Sequence, residues 1–186
     1  MTKNELRKKA LCKRKQLNSD YKNLCDKIIF QRLLIYLKNK QINNIFIYLN
    51  LVNEVDTKHI INYFLIQKIN VYVPKIIDNK EMVAIKIDKD TEYKKNSLKI
   101  NEPLEGIQIS PEKLDLCIIP IVGFDENCNR LGFGRGYYDR FLKRTPMSCL
   151  RIGLAYEVQK CKAIPIEKHD ITLDCIITEK RIYFPV

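Results

Sequence analysis

Apolar residues recur along this chain at two spacings, and the switching between them predicts helices alternating with strands. Lys3 to Leu17 reads as a basic amphipathic helix with Leu6, Ala10, Leu11 and Leu17 near one face. Asn18, Ser19 and Asp20 then offer capping side chains for a second helix. It reaches about Lys40 and is expected to bury Tyr21, Leu24, Ile28, Leu33 and Leu37. Ile45 to Leu49 predicts a strand, Asp56 or Thr57 starts a helix to about Gln67, and Val71 to Val73 predicts a strand stopped by Pro74. Met82 to Ile87 alternates as a strand, whereas Lys89 to Lys99 is polar and reads as an exposed loop or hairpin. Leu114 to Ile119, Arg151 to Leu154 and Asp174 to Thr178 supply further strands, and Gly136 to Lys143 a helix. This order predicts a single three-layer α/β domain over residues 1–186, its sheet largely parallel or mixed and flanked by helices. Ligands of such sheets bind beyond the carboxyl ends of the strands. Asn50 to Glu54 and Gly123 to Gly136 each follow a strand, so both are expected to face one crevice.

Composition narrows the classes. No apolar run approaches the length of a membrane span, and the charged N-terminus lacks a signal-peptide core, so a cytoplasmic protein with no membrane partner is expected. The seven cysteines are scattered without a C-x-x-C pair, which suits reduced thiols better than disulfides or zinc. A net charge of +11 invites a nucleic-acid reading. The lysines run from Lys3 to Lys180 rather than in one block, and Lys, Asn and Ile together make 66 residues, a bias AT-rich codons would produce. The positive surface is therefore expected to be solvated and weakly selective, serving capture of small anions rather than nucleic acid. Monomer is the default expectation.

Candidate chemistry concentrates in Asp125 to Arg140, DENCNRLGFGRGYYDR. A strand, a glycine-rich loop and a helix in succession can hold an anion against backbone N–H groups. Gly134 and Gly136 would let backbone approach a ligand, and Arg130, Arg135 and Arg140 supply positive charge. Asp139 adds a carboxylate for a metal beside a phosphate, or for pairing with Arg135 or Arg140. Lys3 and Arg7 stand four residues apart, on one helix face. Glu54 follows an apolar strand and could accept two hydrogen bonds from adjacent N–H donors. His59 reads as a surface residue, and His169 has no Ser or Cys partner that would make it catalytic.

This run and three further segments, in order, resemble the 5-formyltetrahydrofolate cyclo-ligase (methenyltetrahydrofolate synthetase) family. The others are KNELRKKALCKRKQL from Lys3, IYLNLVNEVDT from Ile47 and IGLAYEVQKCKAIPIEKHDITLDCIITE from Ile152. The resemblance implies conversion of 5-formyltetrahydrofolate, possibly with a polyglutamate tail, to 5,10-methenyltetrahydrofolate, with ATP and Mg²⁺ and release of ADP and phosphate. It assigns ATP contacts to Lys3, Arg7, Arg130, Leu131, Gly132, Phe133, Gly134, Arg135, Gly136, Tyr137 and Tyr138, with Arg135 and Tyr138 nearest the chemistry. It assigns folate contacts to Leu49, Glu54 and the stretch Phe133, Gly134, Arg135, Gly136 and Tyr137, and Mg²⁺ to Asp139 and Asp170. Leu49 could equally be core, Asp170 could cap a turn, and which loop tyrosine touches ligand stays open. The chain departs from the family at Ile121 and Cys128, where glycine is usual, and in lacking glycines before Glu102 and Pro103. Asn127 and Asn129 tolerate positive φ, so the turn could shift by a residue from Cys128.

Overall fold

The computed structural model describes residues 1–96 and 100–186. Two helices, α1 (Lys3–Lys15) and α2 (Ser19–Leu37), lead into β1 (Asn44–Ile47) and α3 (Lys58–Ile66). The hairpin β2 (Asn70–Ile76) and β3 (Met82–Ile87) is followed by β4 (Tyr93–Lys95), β5 (Asn101–Pro103) and β6 (Gln108–Ile109). Then come β7 (Leu116–Pro120), β8 (Gly123–Phe124), β9 (Arg130–Leu131) and α4 (Tyr137–Leu142). The chain closes with β10 (Leu150–Leu154), β11 (Cys175–Ile177) and β12 (Ile182–Tyr183).

One sheet has the order β12-β11-β10-β7-β1-β2-β3-β6. Its middle, from β11 to β2, is parallel, while β12, β3 and β6 pair antiparallel at the edges. Side chains alternate across it with the period of two that a strand imposes. Ile45, Ile47, Leu116 and Ile118 meet the buried face of α2 and α3, and Phe46, Cys117 and Ile119 meet Phe141 and Leu142 of α4. Burial on both faces explains why these strands read as continuous apolar runs. A smaller cluster packs Leu6 and Ala10 of α1 against Val122, Leu131 and Ile164, which fixes α1 over the β8–β9 hairpin. This is the expected three-layer fold with a mixed sheet.

Several local expectations are corrected. The buried stripe of α1 is Leu6, Ala10 and Arg14, with Leu11 and Leu17 only half-buried. In α2 the stripe is Cys25, Ile29, Leu33 and Leu37; Tyr21 and Leu24 are exposed. That helix carries apolar residues around most of its circumference, so periodicity alone does not fix its phase. Pro74 lies inside β2, opposite Ala84 of β3. The pairing of β2 with β1 ends at Tyr72, so the missing Pro74 N–H falls on an open side and no ladder bond is lost. The polar segment after β3 enters the β4–β5 hairpin, and 97–99 of it lie outside the described residues. A second hairpin, β8–β9, separates β7 from the glycine-rich loop, so Arg130 and Leu131 sit in a strand. Cys128 itself takes the left-handed conformation with φ 59°, rather than passing it to Asn127 or Asn129. Asp125 holds this turn, its carboxylate accepting from the N–H groups of Asn127, Asn129 and Ile164.

Ile121, where the resemblance implied glycine as usual, is buried, and its side chain fills the space beside Gly153. A Cβ on Gly153 would lie 2.2 Å from Ile121 Cδ1. The Ile121 side chain is thus accommodated by the absence of one at Gly153.

Candidate active site

A cavity of about 890 Å³ opens beyond the carboxyl ends of β1, β2 and β7, where Leu49, Ile76 and Pro120 reach its wall. All fifteen residues singled out in the sequence line it: Lys3, Arg7, Leu49, Glu54, the run Arg130 to Asp139, and Asp170. Segments 167 residues apart meet here because α1 lies across the hairpin that carries the loop.

The loop from Gly132 to Gly136 is shaped by two guanidiniums. Arg7 Nε donates to the Gly132 carbonyl at 2.8 Å, and its guanidinium carbon lies 3.4 Å from where a Gly134 Cβ would stand. Gly134 has φ 94° and Gly136 φ 68°, conformations that side chains resist. Arg140 Nε donates to the Lys80 carbonyl and Nη2 to the Arg135 carbonyl, closing the loop from the other side. Tyr137 donates its hydroxyl to the Asp78 carbonyl, while Phe133 and Arg135 stay exposed. The Arg135 side chain has no hydrogen-bond or ion-pair partner among the described residues, which leaves its charge available to an anion. Tyr138 packs against Phe46, and burial beside the Glu54 charge holds its hydroxyl firmly protonated.

The carboxylates expected at a metal are each engaged by a cation. Arg130 Nη2 donates to Asp139 Oδ1 at 2.7 Å, so Asp139 pairs with Arg130 and not with Arg135 or Arg140. Lys3 Nζ donates to Asp170 Oδ2 at 2.6 Å and lies 3.0 Å from Glu167. Asp170 also accepts from the Glu167 N–H, the turn-capping role foreseen as an alternative. Burial works against the Asp170 charge, yet Lys3 and that N–H hold its carboxyl below the usual range. The Ile171 N–H donates to Asp139 Oδ1, which brings the two aspartates to one place. Among the described residues no three His, Cys, Asp or Glu side chains gather to hold a metal on their own.

Glu54 sits in a tight turn after β1. Asn53 adopts φ 69°, which folds Glu54 back so that its N–H reaches the Leu51 carbonyl and its Oε2 accepts the Leu51 N–H at 2.8 Å. Tyr48 and Tyr156 hydroxyls donate to the Val55 and Glu54 carbonyls and fix the turn from below. The carboxylate is 4% exposed, and burial pushes its pKa up. Behind it lies Arg14, with Nη1 at 3.9 Å from Glu54 Oε1. Sequence reasoning missed Arg14, because helical periodicity scores arginine as surface. It also missed Pro74, Ile76, Met82 and Glu102, which complete the apolar wall and its rim; they come from the β2–β3 and β4–β5 hairpins, whose approach to the loop no local pattern records.

A cavity at the strand ends, ringed by glycines, guanidiniums and carboxylates, is the place where α/β enzymes hold a small ligand. Comparison with known proteins makes that specific. The family model described as "5-formyltetrahydrofolate cyclo-ligase family" matches residues 1–179. A 5-formyltetrahydrofolate cyclo-ligase of Mycoplasma pneumoniae is 34% identical over 97% of this chain and 100% of its own length. One of Haemophilus influenzae is 31% identical over 86% of this chain and 88% of its own. Two solved structures agree in fold. A 5,10-methenyltetrahydrofolate synthetase from Mycoplasma pneumoniae has a TM-score of 0.82 at 33% identity, covering 96% of this chain and 99% of that one. The synthetase of Aquifex aeolicus has 0.86 at 32% identity, covering 99% and 93%. The chain belongs to the 5-formyltetrahydrofolate cyclo-ligase family, and is a ligase that forms a carbon–nitrogen bond. No helix among the described residues is long and apolar enough to cross a membrane.

Proposed function

We propose that this enzyme uses ATP to close 5-formyltetrahydrofolate to 5,10-methenyltetrahydrofolate, releasing ADP and phosphate, with the folate and the polyphosphate side by side in the one cavity. The observation that carries this reading is the division of that cavity: a cationic glycine loop at one end and a buried carboxylate at the other. A formyl amide is resonance-stabilised, and its oxygen cannot depart as water without activation. Transfer of the γ-phosphoryl group to that oxygen gives a leaving group. Nitrogen 10 then attacks the activated carbon, its proton and the phosphate leave as hydrogen phosphate, and the cationic methenyl bridge remains.

The protein's share of this chemistry is alignment and charge. Lys3, Arg7, Arg130 and the Gly132–Gly136 backbone receive the polyphosphate, and the free Arg135 cation meets the transferring group. Tyr138, held neutral, can donate a hydrogen bond there without competing as a base. Glu54 Oε1 has no hydrogen-bond partner among the described residues, so it can accept from the amino-pyrimidine edge of the pterin, with Leu49 and Met82 on the apolar wall. Asp139 and Asp170 fit Mg²⁺ as it is ordinarily held, by one or two carboxylates with waters and substrate phosphates. Once bound, the ion would supply positive charge against the phosphate oxygens. Seven free cysteines support activity in the reducing cytoplasm.

The test is absorbance of the methenyl product from purified protein, 5-formyltetrahydrofolate and Mg²⁺, with and without ATP. An ATP-dependent rise is expected, lost in Asp139→Ala and lowered roughly 100-fold in Glu54→Gln. A folded, nucleotide-binding protein that gives no rise overturns the substrate assignment.

A further inference from the structure

We infer that Arg14, which does not line the cavity, is a positioning residue that keeps the Glu54 carboxylate charged and aimed at the substrate. The inference rests on the assignment of Glu54 to the folate. Arg14 occupies the third place of the buried α1 stripe, after Leu6 and Ala10, and is only 5% exposed. Its Nη1 donates to the Ile121 carbonyl at 3.2 Å and stops 3.9 Å short of Glu54 Oε1. Arg14 Nε and Glu54 Oε1 are both buried without a hydrogen-bond partner among the described residues. An arginine–carboxylate pair retained for cohesion closes into a fork with both oxygens. Here one oxygen is tied to the Leu51 N–H and the other is held beside the cation with its acceptor capacity unused.

Burial drives Glu54 toward its neutral form, and the Leu51 N–H and the Arg14 charge oppose that drive. Among the described residues the ionisable groups facing Glu54 are Arg14 from α1, Tyr48 just past β1, Tyr138 from α4 and Tyr156, whose hydroxyl reaches the Glu54 carbonyl. The three tyrosines are neutral, so Arg14 is the cation among them. Neutralising Arg14 therefore raises the Glu54 pKa further, and the carboxylate ionises only at higher pH. Folate binding should then weaken first at the acid end of the profile.

The experiment titrates 5-formyltetrahydrofolate into the protein without ATP across roughly pH 5–8 and follows the labelled Glu54 carboxyl carbon by NMR. In Arg14→Gln the acid limb of folate affinity and the Glu54 titration both move up by about one pH unit, a roughly tenfold weaker Kd at the acid end. Arg14→Lys returns the limb to its wild-type position, and affinity for a non-hydrolysable ATP analogue is unchanged in both. Arg14→Met carries the same expectation as Arg14→Gln without a replacement donor. A wild-type acid limb in Arg14→Gln overturns the inference, as does an equal loss of folate and nucleotide affinity at every pH. If Glu54→Gln itself binds folate normally, the Glu54 assignment falls and this inference with it. If Glu54→Gln binds weakly while Arg14→Gln keeps the wild-type limb, the inference alone falls.

Discussion

The two ends of the cavity handle charge in opposite ways. At the loop end, Lys3–Asp170 and Arg130–Asp139 are closed pairs at 2.6 and 2.7 Å, with their carboxylates partly open to solvent. At the other end Arg14 and Glu54 are almost wholly buried and remain 3.9 Å apart. A closed pair at a cavity wall is exchangeable: an incoming polyanion can draw the cations to itself and free the carboxylates for a metal. A buried, open pair has no such exchange, because moving either charge alone would leave the other stranded in a low dielectric. On the proposed function, one end trades charges on binding, and the other holds a single charge still while neutral N–H donors dock against it. Arg130, whose Nε has no hydrogen-bond partner among the described residues and whose charge burial disfavours, fits the proposed exchange with an anion.

The largest effect that would break this comparison is at Arg130. Arg130→Met should lower turnover on the order of 10²–10³-fold, measured by methenyl absorbance under saturating substrates. Turnover within tenfold of wild type would mean the loop end does not depend on this cation. Next comes stability. Arg14→Met/Glu54→Gln should melt above either single variant at pH 7, by a recovery of about 2 kcal/mol, because each single leaves a buried charge unpaired and the double leaves none. Lys3→Met/Asp170→Asn should show a smaller recovery, since both side chains reach solvent, which screens a charge left alone. Equal recoveries in thermal melts would erase the distinction between the ends. The last test is Gly153→Ala, which presses on Ile121, whose carbonyl accepts from Arg14. It should destabilise by about 1–3 kcal/mol and raise the KM for folate while leaving that for ATP unchanged. A change in the ATP constant alone would show that the strain travels the other way.

The loop end was the more legible in the sequence, and the reason is locality. Arg130 to Asp139 are contiguous, and their glycines and charges announce themselves without knowledge of the fold. Spacing put Lys3 and Arg7 on one helix face, but only the family resemblance set them apart from an ordinary basic helix, whereas the parallel strands declared themselves as apolar runs. The Glu54 end depends on contacts across 40 residues between Arg14 and Glu54, and a polar residue at a core position has no signature in periodicity. Pro74 was read as a stop because its open neighbouring side is a property of the sheet, not of the strand. Cys128 took the left-handed turn although asparagines flank it, since the Asp125 hydrogen bonds and burial of the thiol fix which residue stands there. The partners of Asp139 were likewise misjudged from nearness in sequence, when the β8–β9 hairpin brings Arg130 instead.

The first turn of α1 carries a practical instruction for anyone making this protein. Thr2 and Glu5 close a reciprocal capping box, and the next residue after Thr2 is already in the cavity wall. Residues fused ahead of Thr2 would emerge beside this cavity and compete with the cap. Val186 is fully exposed at the other terminus. Affinity handles, fluorophores and surface-coupling groups therefore belong there, and a preparation tagged at the front would make a poor reference for kinetics.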